Sequence, residues 1–143
     1  MGRLSRYHVS QRFLRRVRSC FTVFVVELVI DLGGRVLLVR RREEPLNGRW
    51  FVPGGRVYKA EPAERAALRM AMQETGLRCR IVRQLPASRE VFRGYRGKSM
   101  PEDGVFDSYA AVFLMKPAGK QRIRLDRTSS EYMLAGSIRH DFH

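Results

Sequence analysis

The segment Gly54–Leu77 carries acidic and basic side chains at fixed spacing behind a pair of glycines. Its sequence, GGRVYKAEPAERAALRMAMQETGL, places Glu61, Arg69 and Glu74 along a run of strong helix formers that ends at Gly76. Mg²⁺ prefers oxygen ligands and shares its shell with substrate phosphates, so a glycine turn leading into such a helix can hold the ion against a phosphate. The segment therefore predicts an enzyme acting on a nucleotide-like diphosphate rather than a passive binding module.

Apolar periodicities around this segment predict the elements that must position it. Val9–Ser19 has apolar residues at helical spacing with arginines between them, which predicts a basic helix. Phe21–Ile30 and Arg35–Arg41 are β-rich runs, and the glycine pair between them predicts a hairpin. Strands before and after a helix are typical of an α/β fold.

The remaining elements follow from turn residues and short β-rich runs. Trp50–Val52 is a short strand that stops at Pro53. Pro62 suits the first turn of a helix at Ala63–Gln73, and Gly76 suits a left-handed C-cap. Further predicted elements are strands at Cys79–Gln84, Ser88–Phe92 and Val105–Met115, a loop at Gly94–Gly104 and one helical turn within Glu131–His143.

Length and charge favour one domain with anionic partners. The 143 residues fit a single domain, 1–143, in which residues 1–20 form a basic helical extension. The 28 Lys and Arg against 14 Asp and Glu give a net charge of +14, which attracts nucleotides, nucleic acid or acidic membranes. Cys20 and Cys79 make neither a disulfide framework nor a zinc cluster, which predicts a cytoplasmic protein. The longest apolar run, Phe21–Ile30, is too short to span a bilayer.

Part of the Gly54–Leu77 segment matches a family signature. The chain resembles the Nudix hydrolases, whose generic members place several carboxylates on a metal ion. Two positions depart from that signature, because Met70 and Gln73 stand where helix glutamates are expected. The residues that fall on the signature without a gap are Gly55, Glu61, Arg69, Glu74, Gly76 and Leu77.

These departures match one branch of the family. Pro45–Arg56, Gly34–Leu38 and Arg41 are similar to the GDP-mannose mannosyl hydrolases, which also lack the two middle acids. The resemblance is close over Gly34–Leu77 and weaker on either side. It implies a mixed β-sheet sandwiched between helices. It also implies Mg²⁺-dependent hydrolysis of a nucleoside diphosphate sugar, in which water attacks the anomeric carbon of GDP-mannose and releases GDP and mannose.

The resemblance assigns a metal site and its support. Glu74 and the backbone carbonyl of Gly55 match the family's ligands, and a diphosphate would complete the shell. Glu61 and Arg69 match a supporting ion pair that would pin the loop to the helix, rather than metal ligands. Gly54 and Gly55 permit backbone angles and close approach that other residues resist.

The resemblance also assigns substrate-binding residues. Arg41 and Arg56 match positions that serve the leaving group, where a guanidinium binds phosphate oxygens through two parallel hydrogen bonds. The arginines on either side of Arg41 leave this register open by one residue. The family's acid on its first strand matches Glu27 if the hairpin is shortened by one residue, and Val26 without that gap.

The general base has no match. Thr128 and Ser129 stand where the branch carries a Gln that helps to hold the metal and a His that activates water. A serine cannot take a proton at neutral pH as imidazole can. Asp126 and Glu131 are nearby acids that could substitute, and His140 is a weaker candidate.

Three functions are therefore open. The first is hydrolysis of a nucleoside diphosphate sugar at carbon. The second is a Nudix diphosphatase that cleaves the P–O–P linkage of another nucleoside diphosphate derivative. The third is a catalytically weakened domain that binds nucleotide or RNA, favoured by the charge, the basic first helix and the missing His. Family members often dimerise, so a homodimer is also expected.

Overall fold

The computed structural model describes residues 9–136, in which seven strands form one mixed sheet. The strand order is β3-β2-β1-β6-β5, with β4 paired to β1 and β7 paired to β2. The pairing of β1 with β6 is parallel and the others are antiparallel. The elements are α1 (Gln11–Cys20), β1 (Val23–Leu32), β2 (Arg35–Arg41), β3 (Trp50–Phe51), β4 (Gly54–Arg56), α2 (Ala63–Thr75), β5 (Cys79–Phe92), β6 (Phe106–Pro117) and β7 (Ser129–Ala135).

The predicted hairpin joins β1 to β2. Leu32 pairs with Arg35, so Gly33 and Gly34 form a two-residue turn, with φ of 63° and 87°. Positive φ at both central residues gives the turn whose twist matches that of the flanking strands. The Asp31 carboxylate accepts a hydrogen bond of 2.7 Å from the Gly34 N–H, which fixes the turn further.

Helix α2 forms where the helix formers and caps predict it. Pro62 precedes the helix as an extended N-cap rather than lying in its first turn, and Gly76 ends it with a φ of 71°. Small side chains on its buried face let the helix approach the sheet closely. The core between them contains Ala66, Ala67, Met70 and Ala71 of α2 with Val26, Leu28 and Ile30 of β1.

The predicted glycine turn at Gly54 and Gly55 is wrong, because both residues lie in strand β4. Neither has a positive φ among the described residues, and the chain turns later, where Ala60 has a φ of 62°. The close approach of neighbouring atoms to these two glycines, which was also predicted, is confirmed. A Cβ on Gly54 would lie 2.2 Å from the Val26 carbonyl oxygen, and one on Gly55 would lie 2.7 Å from the end of Met70.

The two predicted strands after α2 are one strand, β5, with register shifts against β6. Pro86 lies between the two predicted strands, and β5 is at the edge of the sheet, where a missing N–H need not break the ladder. The predicted loop Gly94–Gly104 follows it.

The predicted helical turn near the C-terminus is wrong over Glu131–Ala135, which belongs to strand β7. Residues 137–143, with His140, and residues 1–8 lie outside the described part of the chain. Within residues 9–136, Cys20 and Cys79 are free thiols, and no helix is long and apolar enough to cross a membrane.

Candidate active site

A cleft with a volume of about 230 Å³ opens between the sheet, the end of α2 and helix α1. It is lined by charged side chains from six different elements, so its chemistry depends on the tertiary fold. The charged residues that matter most for its chemistry are Arg18, Glu27, Arg41, Arg56, Glu74 and Glu90.

Glu74 lies at the C-terminal end of α2 and is 8% exposed. Its Oε2 accepts a hydrogen bond of 3.0 Å from the Gly54 N–H. Its Oε1 has no hydrogen-bond partner within residues 9–136. Burial raises the pKa of Glu74 to about 7, against the opposing effect of the Gly54 hydrogen bond. A buried carboxylate with one unpaired oxygen is a group that a cation would stabilise.

Glu61 and Arg69 form the predicted ion pair. Arg69 donates from Nε to Glu61 Oε2 over 2.8 Å and from Nη2 to Oε1 over 3.0 Å. The same Nη2 donates to the Arg56 carbonyl at 2.9 Å, so one side chain joins α2 to the end of β4 and the following loop. The hydrogen bond from Arg69 is the main cause that lowers the pKa of Glu61.

Arg41 and Arg56 both line the cleft. Arg41 is the last residue of β2, and its Nε donates to the Pro45 carbonyl at 2.8 Å. Of the three consecutive arginines 40–42, Arg41 is the one that lines the cleft. The Nη1 of Arg40 instead lies 3.3 Å from Oε1 of Glu131, and both of those side chains are exposed. Arg56 is the last residue of β4. Two cations therefore border the same cleft as the buried Glu74 carboxylate.

Arg18 of α1 also lines the cleft, and sequence reasoning missed it. Its Nη1 donates to the Ser99 carbonyl at 3.1 Å and to Ser99 Oγ at 3.0 Å. Its guanidinium carbon lies 4.9 Å from the centre of the Phe106 ring. One signal could have indicated it: Arg18 is four residues after Leu14, so both share a helix face, and Leu14 lines the cleft as well.

Two further acids face each other in the cleft. Glu27 on β1 lies on the opposite face of that strand from the core residues Val26 and Leu28, as strand alternation requires. Burial, followed by the charge of Glu90 and a hydrogen bond to it, raises the pKa of Glu27 to about 7. Burial also raises the pKa of Glu90. No sequence pattern marks Glu90 as a site residue, because it lies within the predicted strand Ser88–Phe92.

The position of the missing base is occupied by small polar residues. Thr128 and Ser129 line the cleft, and Ser129 is 5% exposed. Asp126 does not line the cleft and accepts a 2.9 Å hydrogen bond from the Thr128 N–H. Glu131 pairs with Arg40 away from the cleft. Neither of the two substitute acids proposed from sequence reaches into the cleft.

The cleft offers some, but not all, of the oxygen ligands that a divalent cation needs. Among residues 9–136 no three or more His, Cys, Asp or Glu side chains gather into a metal-binding group. Glu74 nevertheless offers its unpaired Oε1, and Gly55 lies next to the glycine that holds Oε2. Mg²⁺ commonly takes one or two carboxylates and completes its shell with water and substrate phosphates. The residues that could hold the ion are Glu74 and the carbonyl of Gly55.

A family model described as NUDIX domain matches residues 21–134. The chain belongs to the NUDIX family. The Low-salt glycan biosynthesis protein Agl8 of Haloferax volcanii is 50% identical over 52 residues, 36% of this chain and 33% of that protein. The ADP-ribose pyrophosphatase of Methanocaldococcus jannaschii is 33% identical over 76 residues, 52% of this chain and 45% of that protein. The matched part spans less than half the length of either relative.

Solved NUDIX structures confirm the predicted fold. The NUDIX domain of Shewanella oneidensis NrtR, solved with ADP ribose, is similar with a TM-score of 0.60 at 20% identity. The similarity covers 94% of this chain and 82% of that one. The mixed sheet with helices that was expected from the sequence is therefore the NUDIX fold. Divalent metal ions are used generally in this family, which agrees with the buried carboxylate of Glu74 in the cleft.

Proposed function

We propose that this NUDIX protein is a Mg²⁺-dependent hydrolase of nucleoside diphosphate sugars, with GDP-mannose as the first substrate to test. The observation that carries the proposal is the placement of Glu74, Arg41 and Arg56 around one cleft. A carboxylate with an unpaired oxygen can take a cation, and the two guanidiniums can take the phosphates that the cation binds. The match to the GDP-mannose branch supports this substrate class.

The residues of the proposed site then have separate roles. Glu74 and the Gly55 carbonyl would hold Mg²⁺, which when bound would neutralise charge on a departing diphosphate. Arg41 and Arg56 stabilise the charge that grows on that leaving group. Glu27 is placed to accept a hydrogen bond from the substrate or a proton from water. The ion pair of Glu61 with Arg69 holds the loop in place.

Product analysis tests the proposal directly. The full chain is incubated with GDP-mannose and Mg²⁺, and free mannose and GDP are measured. We expect both products, with attack at the anomeric carbon as in glycoside hydrolysis. Absence of free mannose from the wild type and from Glu74→Gln alike would end the proposal.

A second candidate moves the attack to phosphorus. The similarity to an ADP-ribose pyrophosphatase favours this candidate. Hydrolysis of GDP-mannose and ADP-ribose in ¹⁸O-labelled water separates the two reactions. Label in the sugar supports attack at carbon, and label in a phosphate supports the diphosphatase.

A third candidate is a catalytically weakened domain that binds nucleotide or RNA. Ser129 in the cleft, where the branch carries its His, and the net charge of +14 favour it. Binding driven by phosphates should weaken steeply with salt. RNA affinity that is absent at low salt, or equal at low and high salt, would count against this candidate.

The proposal also includes the compartment and the oligomeric state of the protein. Cys20 and Cys79 are free thiols, which favours a reducing compartment such as the cytoplasm. The family resemblance favours a homodimer. Light scattering coupled to size exclusion measures the molar mass in solution, and a value for one chain of 16.6 kDa would contradict the dimer.

A further inference from the structure

Three of the four arginines that line the cleft have no carboxylate partner within residues 9–136. The fourth, Arg69, forms a salt bridge with Glu61, and the partly buried Arg15 outside the cleft forms one with Glu102. The three without a salt bridge in that range are also partly buried, and they are Arg18, Arg41 and Arg56. Cations held in a recess without a counter-charge raise the local concentration of anions there.

Arg18 is the best-positioned of the three. Its Nη1 is fixed by two hydrogen bonds to Ser99, at 3.1 and 3.0 Å, and its guanidinium lies over the Phe106 ring. Its Nη2 has no hydrogen bond within residues 9–136, and its Nε is buried without a partner. A charged guanidinium N–H donates a strong hydrogen bond to an oxyanion. Because Nε has almost no exposed surface, Nη2 is the donor of Arg18 that protein contacts leave free for an anion in the cleft.

The three guanidiniums also act on one another. Burial, and after it the positive charges of Arg56 and Arg41, lower the pKa of Arg18 to about 10, while Glu43 opposes this shift. With a pKa of about 10, Arg18 is a cation at neutral pH, so the repulsion between its guanidinium and the other two persists there. A bound polyanion would relieve that repulsion more than an ion of lower charge.

We infer that Arg18, on the N-terminal helix α1, is a third phosphate-binding residue of the cleft. Together with Arg41 and Arg56 it selects ligands that carry two adjacent phosphates over ligands that carry one. The identity of the whole substrate rests on the proposed function, but this anion subsite requires no turnover. Helix α1 is then a wall of the binding site rather than an extension beside the domain.

Calorimetry on the full chain, with metal removed by a chelator and ionic strength held low and constant, tests the subsite. The probes are inorganic pyrophosphate and inorganic phosphate. We expect the wild type to bind pyrophosphate at least about tenfold more tightly than phosphate. Arg18→Gln should lose about tenfold in pyrophosphate affinity. Arg16→Gln, which removes the same charge from an exposed position of α1, should stay within about twofold of the wild type.

Two further variants protect the test against a folding artefact. Arg18→Lys keeps the charge but loses the paired donors, so we expect a loss of intermediate size. Ser99→Ala removes one contact that orients Arg18 without changing any charge, and it should also weaken pyrophosphate binding. Thermal melting identifies a variant that has not folded, and the other variants then decide. Equal losses for Arg18→Gln and Arg16→Gln, or no preference for pyrophosphate over phosphate, would overturn the inference.

The experiments separate failure of the Arg18 subsite from failure of the proposed hydrolase activity. If Arg18→Gln hydrolyses GDP-mannose with an unchanged KM and binds pyrophosphate as the wild type does, the subsite is wrong and the hydrolase stands. If the wild type binds pyrophosphate through Arg18 but releases no sugar from any nucleoside diphosphate sugar, the subsite stands and the hydrolase is wrong.

Discussion

At the residue scale, the proposed metal site depends on Glu74 because two neighbouring positions of α2 carry side chains other than glutamate. Met70 packs into the core and against Gly55, and Gln73 is an exposed amide. Glu74→Gln keeps the size of the side chain but removes the charge that a cation needs. We expect kcat to fall by about a hundredfold or more, the order of loss seen when a main electrostatic contact of a transition state is removed.

Glu64→Gln is the matched control for this prediction. Glu64 is exposed in the first turn of the same helix, and its substitution removes the same charge. Its kcat should remain within about twofold of the wild type, since an exposed charge is screened by water and salt. Isothermal titration with Mg²⁺ in the presence of GDP checks the cause. Equal uptake of Mg²⁺ by Glu74→Gln and the wild type would contradict the assignment of Glu74.

At the element scale, Arg69 holds helix α2 to the loop that follows β4. Arg69→Lys retains the charge but cannot bind both Glu61 oxygens and the Arg56 carbonyl with one planar group. The pair is only 14–19% exposed, so we expect the free energy of unfolding to fall by about 1–2 kcal/mol. Urea denaturation measures this. Arg65→Lys, at an exposed position of α2, is the control, and an equal loss there would contradict the prediction.

The pairing of β4 with β1 gives a second prediction at this scale. Gly54→Ala would place a Cβ 2.2 Å from the Val26 carbonyl oxygen, which is backbone and cannot move alone. Gly55→Ala would meet the flexible end of Met70 at 2.7 Å. We expect Gly54→Ala to destabilise by about 2–3 kcal/mol and Gly55→Ala by clearly less, since overpacking costs more where nothing can yield. Denaturation midpoints that fall by the same amount would show that this reasoning is wrong.

The elements also show where sequence reasoning succeeds. The hairpin at Gly33-Gly34 and helix α2 with its Gly76 cap are fixed by local chemistry, so they were predicted. Strands β4 and β7 were missed because they are stabilised by partners far along the chain, β1 and β2, and have weak patterns of their own. Contacts of this kind depend on tertiary context rather than propensity.

At the scale of the whole molecule, only some of the cleft residues could be predicted from the sequence, because the others come together only through tertiary contacts. A motif shared with a family carries Arg41, Arg56 and Glu74, because the motif is contiguous with the strands and helix that position them. Arg18 and Glu90 come from α1 and β5, whose sequences look like an ordinary basic helix and an ordinary strand. Only the packing of those elements around the sheet brings their charges to the cleft.

The two facing acids of the cleft make the stability of the whole molecule depend on pH. Burial raises the pKa of Glu27 from 4.5 to about 7, and Arg41 partly offsets the rise at its neighbour Glu90. The folded chain therefore binds more protons than the unfolded chain between about pH 4.5 and 7. Stability from this source is present below the unfolded pKa and falls as pH rises through the folded pKa.

Glu27→Gln removes this dependence without changing the size of the side chain. We expect its stability to equal that of the wild type near pH 4, below the unfolded pKa, and to exceed it near pH 8. The gain should be about 1–2 kcal/mol, reduced because the cleft is open to water. Urea denaturation across this range measures the difference between the two proteins, which cancels other titrating groups. Glu64→Gln should follow the wild type, and an unchanged slope for Glu27→Gln would mean that the two acids do not share a buried environment.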